Sequence, residues 1–320
     1  MVSSAWATTW FVNDTSTVGD SFTTSVGAAG NTGVTPNSPK RHVQEVMVLW
    51  KDGDIVYLDA GIHNEGAQLL VTCDSLTIQG VDSEATIIDF YPMTDISRYI
   101  KVKSCTGVTL RNFAVMRGYF GVLLSDADTC TISGVRCDSN SVSGFRVESG
   151  SCDNEFRGNS ASGNPTAGFQ FVSSSISILF LKQPSMRNSI VGNRATGNGD
   201  GFNLSSARNL FFGNISAGNQ GMGFNLAAES HSQFAGNTIT NNGSHGFQLV
   251  STTEIVLLQN TFDSNGGYAV SLAGGQNNGT ITRNIFQGSA NGPDSILFGS
   301  TNISYRIQRN WWGTTDSISI

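Results

Sequence analysis

The sequence predicts an all-β chain wound into a single parallel β-helix, a solenoid of about nine or ten turns behind an N-terminal cap. Three observations carry this. A Gly-Phe-polar-apolar unit recurs at Gly144-Phe145-Arg146-Val147, Gly168-Phe169-Gln170-Phe171, Gly201-Phe202-Asn203-Leu204, Gly223-Phe224-Asn225-Leu226 and Gly246-Phe247-Gln248-Leu249, with weaker copies at Gly121 and Ala269. Apart from one spacing of 33 residues, the starts lie 22–24 residues apart. A second register locked to the first runs through Asn159, Asn193, Asn214, Asn237, Asn260, Asn284 and Asn310, with another asparagine five residues after most of them. The third observation is composition: 37 Gly and 28 Asn in 320 residues, and only 13% charged, which favours turns over helices.

Taken in chain order, residues 1–61 read as the cap and 62–320 as the solenoid. Each later repeat holds short apolar alternations of strand length, such as Leu210-Phe211-Phe212 and Phe224-Asn225-Leu226, separated by Gly/Asn turns. Successive turns stack at about 4.8 Å, so Phe145, Phe169, Phe202, Phe224 and Phe247 should form one buried column. The register asparagines should form an inward ladder of bonded amides, and asparagine also tolerates the left-handed backbone of tight turns. The long repeat carries an insert, Ser173–Arg187, that should project from one face or pack its apolar residues on the outer wall. After Asn310-Trp311-Trp312-Gly313 only Thr314–Ile320 follow, so a continuation of the chain or another subunit is expected to cover the last turn.

These Gly-Asn and Gly-Phe registers, closing on Trp311-Trp312-Gly313, resemble the right-handed parallel β-helix repeat proteins. The segment Lys51–Gly61 resembles the entry cap of the same proteins, in which a short helix precedes the first strand. The resemblance implies that Pro39 to Trp50 is that helix, with Val43, Val46, Met47 and Trp50 on one face, and that Asp54-Ile55-Val56-Tyr57-Leu58 is the first strand. That superfamily includes polysaccharide lyases, alginate C5-epimerases and NosD-like carbohydrate-associated domains. The resemblance spans nearly the whole chain and implies a right-handed solenoid. It implies function only loosely, because one fold hosts many chemistries.

Charge and cysteine use bound the partners. A net charge of −6 without a charge run excludes a basic nucleic-acid surface, and no 18-residue apolar stretch suits a membrane-spanning helix. Residues 1–15 lack the basic start and apolar run of a signal peptide. Cys73, Cys105, Cys130, Cys137 and Cys152 have no zinc spacing; they read as small buried hydrophobes, with one or two disulfides as the alternative.

Enzymes of the resembling architecture work in a groove along one sheet, with outward side chains. On the Gly-Phe strand the residue after Phe faces out. That column includes Arg146, Gln170, Asn203, Asn225 and Gln248, a row of amides and one base suited to sugar hydroxyls. The column before the glycines includes Asp200, Met222, His245 and Tyr268. His245 and Tyr268, on adjacent turns, are the best available acid/base pair for removing the C5 proton of a uronic acid. Arg146 lies four turns from His245, too far to neutralise the same sugar's carboxylate. Glu229 and Glu254 sit in comparable turns and read as solvated loop acids. No cofactor is required by the sequence; Asp126, Asp128 and Asp153 could bind calcium, though without a known calcium-loop spacing. The expected function is that of an extracellular or cell-surface module, non-catalytic and carbohydrate-binding or structural. The alternatives are a lyase or C5-epimerase of an acidic glycan and a fibre subunit associating end to end.

Overall fold

A computed structural model describes residues 7–92, 96–173, 185–275, 277–288, 296–299 and 303–313. Each turn of chain contributes one strand to each of three sheets, so every strand pairs in parallel with its counterpart one turn away. Among the described residues, the first sheet has 12 strands, from Thr9–Val12 and Ile55–Leu58 to Ile303–Gln308. The second has 10, from Gly61–Asn64 to Ile285–Gln287, and the third has 10, from Leu69–Val71 to Ile296–Phe298. The Gly-Phe strands lie in the third sheet.

Register places like on like. Phe145, Phe169, Phe202, Phe224 and Phe247 are direct partners along the third sheet. Their rings stack with centroids 4.7, 4.9, 4.4 and 4.5 Å apart. Phe211 and Phe234 from the first sheet stack at 4.7 Å and meet this column edge-on. Offset or perpendicular rings place the positive edge of one over the negative face of another, adding to the burial. Further along the axis Phe262, Phe286 and Trp312 continue the stacking at 4.9 and 4.6 Å.

The asparagines form ladders at the corners. The Asn214 Nδ2 donates to Asn237 Oδ1 at 3.0 Å on the next turn and to the Ile190 carbonyl at 2.8 Å on the previous one. The Asn237 Oδ1 also accepts the Asn214 backbone N–H at 2.9 Å. The same pattern runs from Asn159 to Asn310 and, at the next corner, from Asn140 to Asn265. A third ladder, Asn154, Asn188 and Asn209, ends on Ser232 and was not anticipated. Its signal was present, since each member precedes a Gly-Asn asparagine by five residues. The left-handed residue of the Gly-Asn turn is the one before the asparagine, as at Gly158 (φ 60°), Gly213 (φ 63°) and Gln259 (φ 54°), and not the ladder asparagine itself.

One expectation changes in the cap. The helix is only Val43–Met47, shorter than Pro39–Trp50, because Lys40 is engaged in a bridge with Val12 and the chain at His42 is extended. Val43, Val46 and Trp50 are nonetheless buried, and Met47 packs on the core. None of the five cysteines is joined in a disulfide; Cys73 is half-buried and the others are buried, and burial raises each thiol's pKa. Of the insert, Ile176–Lys182 lies outside the described residues, as does Thr314–Ile320; Arg187 pairs with Asp153 at 2.6 Å.

Candidate site on the outer face of the third sheet

The Gly-Phe strands pass close to the second sheet at their glycines. A Cβ on Gly144 would stand 2.8 Å from the Ala161 Cβ and 2.8 Å from the Gly168 carbonyl, so only glycine lets the strand close on the second sheet there. Two columns of side chains face outward. One holds Asp200, Met222, His245 and Tyr268, and the other holds Arg146, Gln170, Asn203, Asn225 and Gln248 as strand partners. All nine are partly exposed. Near the N-terminal end, the Arg146 guanidinium lies 5.2 Å from the Phe120 ring centroid, and Phe120 is flanked edge-on by Tyr99 and Tyr119.

Each charged group in these columns is engaged. Arg146 donates from Nε to Glu148 at 2.7 Å and from a terminal nitrogen to Gln170 Oε1 at 3.0 Å. The Ser143 hydroxyl donates to the same Gln170 oxygen at 3.1 Å. Asp200 accepts the Met222 backbone N–H at 2.8 Å, the Asn225 amide at 3.0 Å and the Asn203 amide at 3.3 Å.

His245 and Tyr268 are brought side by side, with ring centroids 5.6 Å apart. The contact differs from an acid/base pair. His245 Nδ1 accepts the Tyr268 backbone N–H at 2.9 Å, so the ring's lone pair is occupied and Nε2 carries the proton of the neutral form. Burial lowers the His245 pKa, which keeps the ring neutral near pH 7. Glycines permit both arrangements: a Cβ on Gly221 would lie 2.4 Å from Asp200 Oδ1, and one on Gly267 would lie 2.4 Å from His245 Nδ1.

The remaining acids are elsewhere. Glu254 is exposed and pairs with His231 at 3.2 Å. Glu229 is not a solvated loop acid: it is buried, bonded to Ser206, Ser232 and Asn209, and burial raises its pKa. The three acids considered for calcium do not converge. Asp153 spends both oxygens on Arg187, Asp128 accepts the Cys152 N–H at 2.7 Å, and Asp126 accepts from the Ser104 hydroxyl at 3.2 Å.

The family described as "Right handed beta helix region" matches residues 41–182, and "Periplasmic copper-binding protein (NosD)" matches 177–312. The fold is the right-handed parallel β-helix. No curated protein matches this β-helix in sequence. Among solved structures, a rhamnogalacturonan lyase is similar at 15% identity and TM-score 0.74, over 98% of this chain and 90% of that one. A pectate lyase is similar at 18% identity and TM-score 0.68, over 98% and 82%. The A-module of a mannuronan C-5 epimerase from Azotobacter vinelandii is similar at 18% identity and TM-score 0.58, over 83% and 91%. At these identities the likeness is one of fold. Copper is named for the NosD family, and the described residues offer no such site. Among the described residues no three His, Cys, Asp or Glu side chains converge to hold a metal ion, and no helix is long and apolar enough to cross a membrane.

Proposed function

We propose that this β-helix is a non-catalytic glycan-binding module of the extracellular space or cell surface, which lays a polysaccharide along the outer face of its third sheet. The observation that supports this most is the column Gln170, Asn203, Asn225 and Gln248, one amide per turn on four successive turns. Amides both donate and accept, which matches the hydroxyl array of a sugar chain, and a spacing of about 4.8 Å repeats the same contact along the ligand. Proton abstraction has less support. The His245 lone pair is occupied by the Tyr268 N–H, and the nearest cation of the column, Arg146, is four turns away and held by Glu148.

Affinity electrophoresis or calorimetry on a panel of neutral and acidic polysaccharides tests the reading. Binding to at least one glycan is expected, weakened about tenfold or more when Asn225 and Gln248 are both replaced by alanine. No unsaturated uronate should be released from alginate, pectate or hyaluronan. Ultraviolet absorbance from such a product, lost in His245→Ala, would replace this reading with that of a lyase. The half-exposed Ile307 and Trp312 on the last described turn favour a second reading, end-to-end stacking of copies, which sedimentation would detect as growth with concentration.

A further inference from the structure

Charged groups hydrogen-bond in one direction only: a carboxylate accepts and a guanidinium donates. An amide touching a carboxylate must therefore turn its nitrogen toward it, and an amide touching a guanidinium must turn its oxygen. This logic fixes three of the four amides in the column. Asn203 and Asn225 both give Nδ2 to Asp200, at 3.3 and 3.0 Å, so both carbonyl oxygens face away from the carboxylate. Gln170 gives Oε1 to Arg146 at 3.0 Å and to the Ser143 hydroxyl at 3.1 Å, so its Nε2 is the end left over. A backbone N–H is equally one-way. The Tyr268 N–H on His245 Nδ1 at 2.9 Å leaves the imidazole Nε2–H as the second donor.

We propose that Asp200 and Arg146 are positioning residues which, with the Tyr268 N–H on His245, set a donor, acceptor, acceptor, donor pattern over four successive turns, and that this pattern selects a neutral, hydroxyl-rich glycan over a polyuronate. Gln170 and His245 supply the outer donors, which meet ring, glycosidic or acetyl oxygens. Asn203 and Asn225 supply the inner acceptors, which meet sugar O–H groups. A uronate carboxylate at the centre would face two carbonyl oxygens and the Asp200 carboxylate, with no hydrogen bond to gain and like charge to oppose it. Asp200 is itself held by the Met222 N–H at 2.8 Å, so it keeps its orientation before any ligand arrives. The proposal rests on the glycan-binding reading above and adds the ligand's class.

The test compares soluble xylan, mannan and mixed-linkage glucan with alginate and polygalacturonate, by affinity electrophoresis or calorimetry on the full chain. Wild type should bind one of the neutral polymers at least about tenfold more tightly than either polyuronate. Asp200→Asn removes the charge and lets both amides turn over, so the ratio should narrow or invert. Gln170→Glu keeps the Arg146 contact while removing the outer donor, and should weaken neutral binding about tenfold. Near-ultraviolet circular dichroism establishes that the variants are folded; should Asp200→Asn unfold, Gln170→Glu and the wild-type ratio decide. A wild-type preference for polyuronates, an unchanged ratio in folded Asp200→Asn, or an unaffected Gln170→Glu overturns the proposal. Polyuronate preference would leave the glycan-binding reading standing, whereas absence of binding to every polymer removes both.

Discussion

Asn214 illustrates what one side chain does in this solenoid. Its Oδ1 accepts the Asn193 backbone N–H at 2.9 Å and the Asn193 amide at 3.1 Å, while its Nδ2 donates to turns on both sides. Asn214→Leu strips the acceptor from two buried donors and the donor from the Ile190 carbonyl. The expected loss is about 1–3 kcal/mol in a urea titration, because an unmade buried hydrogen bond costs the desolvation of the orphaned group. A change of a few tenths would show that neighbouring groups re-pair and that the ladder is not a stabilising unit.

At the scale of elements, the ring column and the cap helix make separate predictions. Phe224 is buried between Phe202 and Phe247 and edge-on to Phe211 and Phe234. Phe224→Ala opens a cavity that rigid sheets close poorly, so a destabilisation of about 3–5 kcal/mol is expected in the same titration. Phe212, half-exposed on the first sheet, should tolerate alanine at a cost of about 0.5 kcal/mol or less. In the cap, Glu65 accepts the Val43 N–H at 2.7 Å and the Gln44 N–H at 3.4 Å from the start of the short helix. Burial outweighs those bonds and raises the carboxyl to about 7 from an ordinary 4.5. The folded state then holds a proton that the unfolded chain gives up, so this group's contribution to stability falls as pH rises from 4.5 toward 7 and is level above that. Buried His63, its pKa lowered by desolvation, acts in the opposite sense below its ordinary 6.5. Comparing wild type with Glu65→Gln cancels His63: from pH 4.5 to 7.5 the difference should move in the variant's favour by up to about 3 kcal/mol. A pH-independent difference would mean that Glu65 stays ionised.

For the molecule as a whole, each turn contacts chiefly the turns before and after it, so stability is close to a sum of turn and interface terms. The aromatic columns between Phe145 and Phe262 bury the interior of the middle turns, whereas Ile296–Phe298 and Ile303–Gln308 are partly exposed. Hydrogen exchange should therefore be slowest in the third-sheet strands from Ser143–Glu148 to Phe247–Val250 and fastest in those last two strands. Uniform protection from end to end would instead indicate one cooperative unit. The same geometry serves binding, since a stack of near-identical turns repeats one outward side chain at a fixed interval.

What the sequence determined by itself follows from that one-dimensional order. Side chains alternate in and out along a strand, and turns repeat at a near-constant length, so Phe202 over Phe224 and Asn214 over Asn237 can be read without coordinates. The outward column from Arg146 to Gln248 was legible for the same reason. Local chain geometry was less so: the helix shrank to Val43–Met47 because the chain around it was drawn into contacts with distant segments, Lys40 with Val12 and the first helical N–H groups with Glu65. Glu229, read as a loop acid, entered the interior because Ser232 of its own turn and Ser206 and Asn209 of the preceding turn converge on it. The site's polarity also needed tertiary structure. Sequence places His245 beside Tyr268 and Asp200 near Asn225, but which atom faces which depends on strand placement and rotamers to within a few ångströms. An amide and an imidazole each present a donor at one end and an acceptor at the other, so their role is undefined until a one-way neighbour is fixed in space.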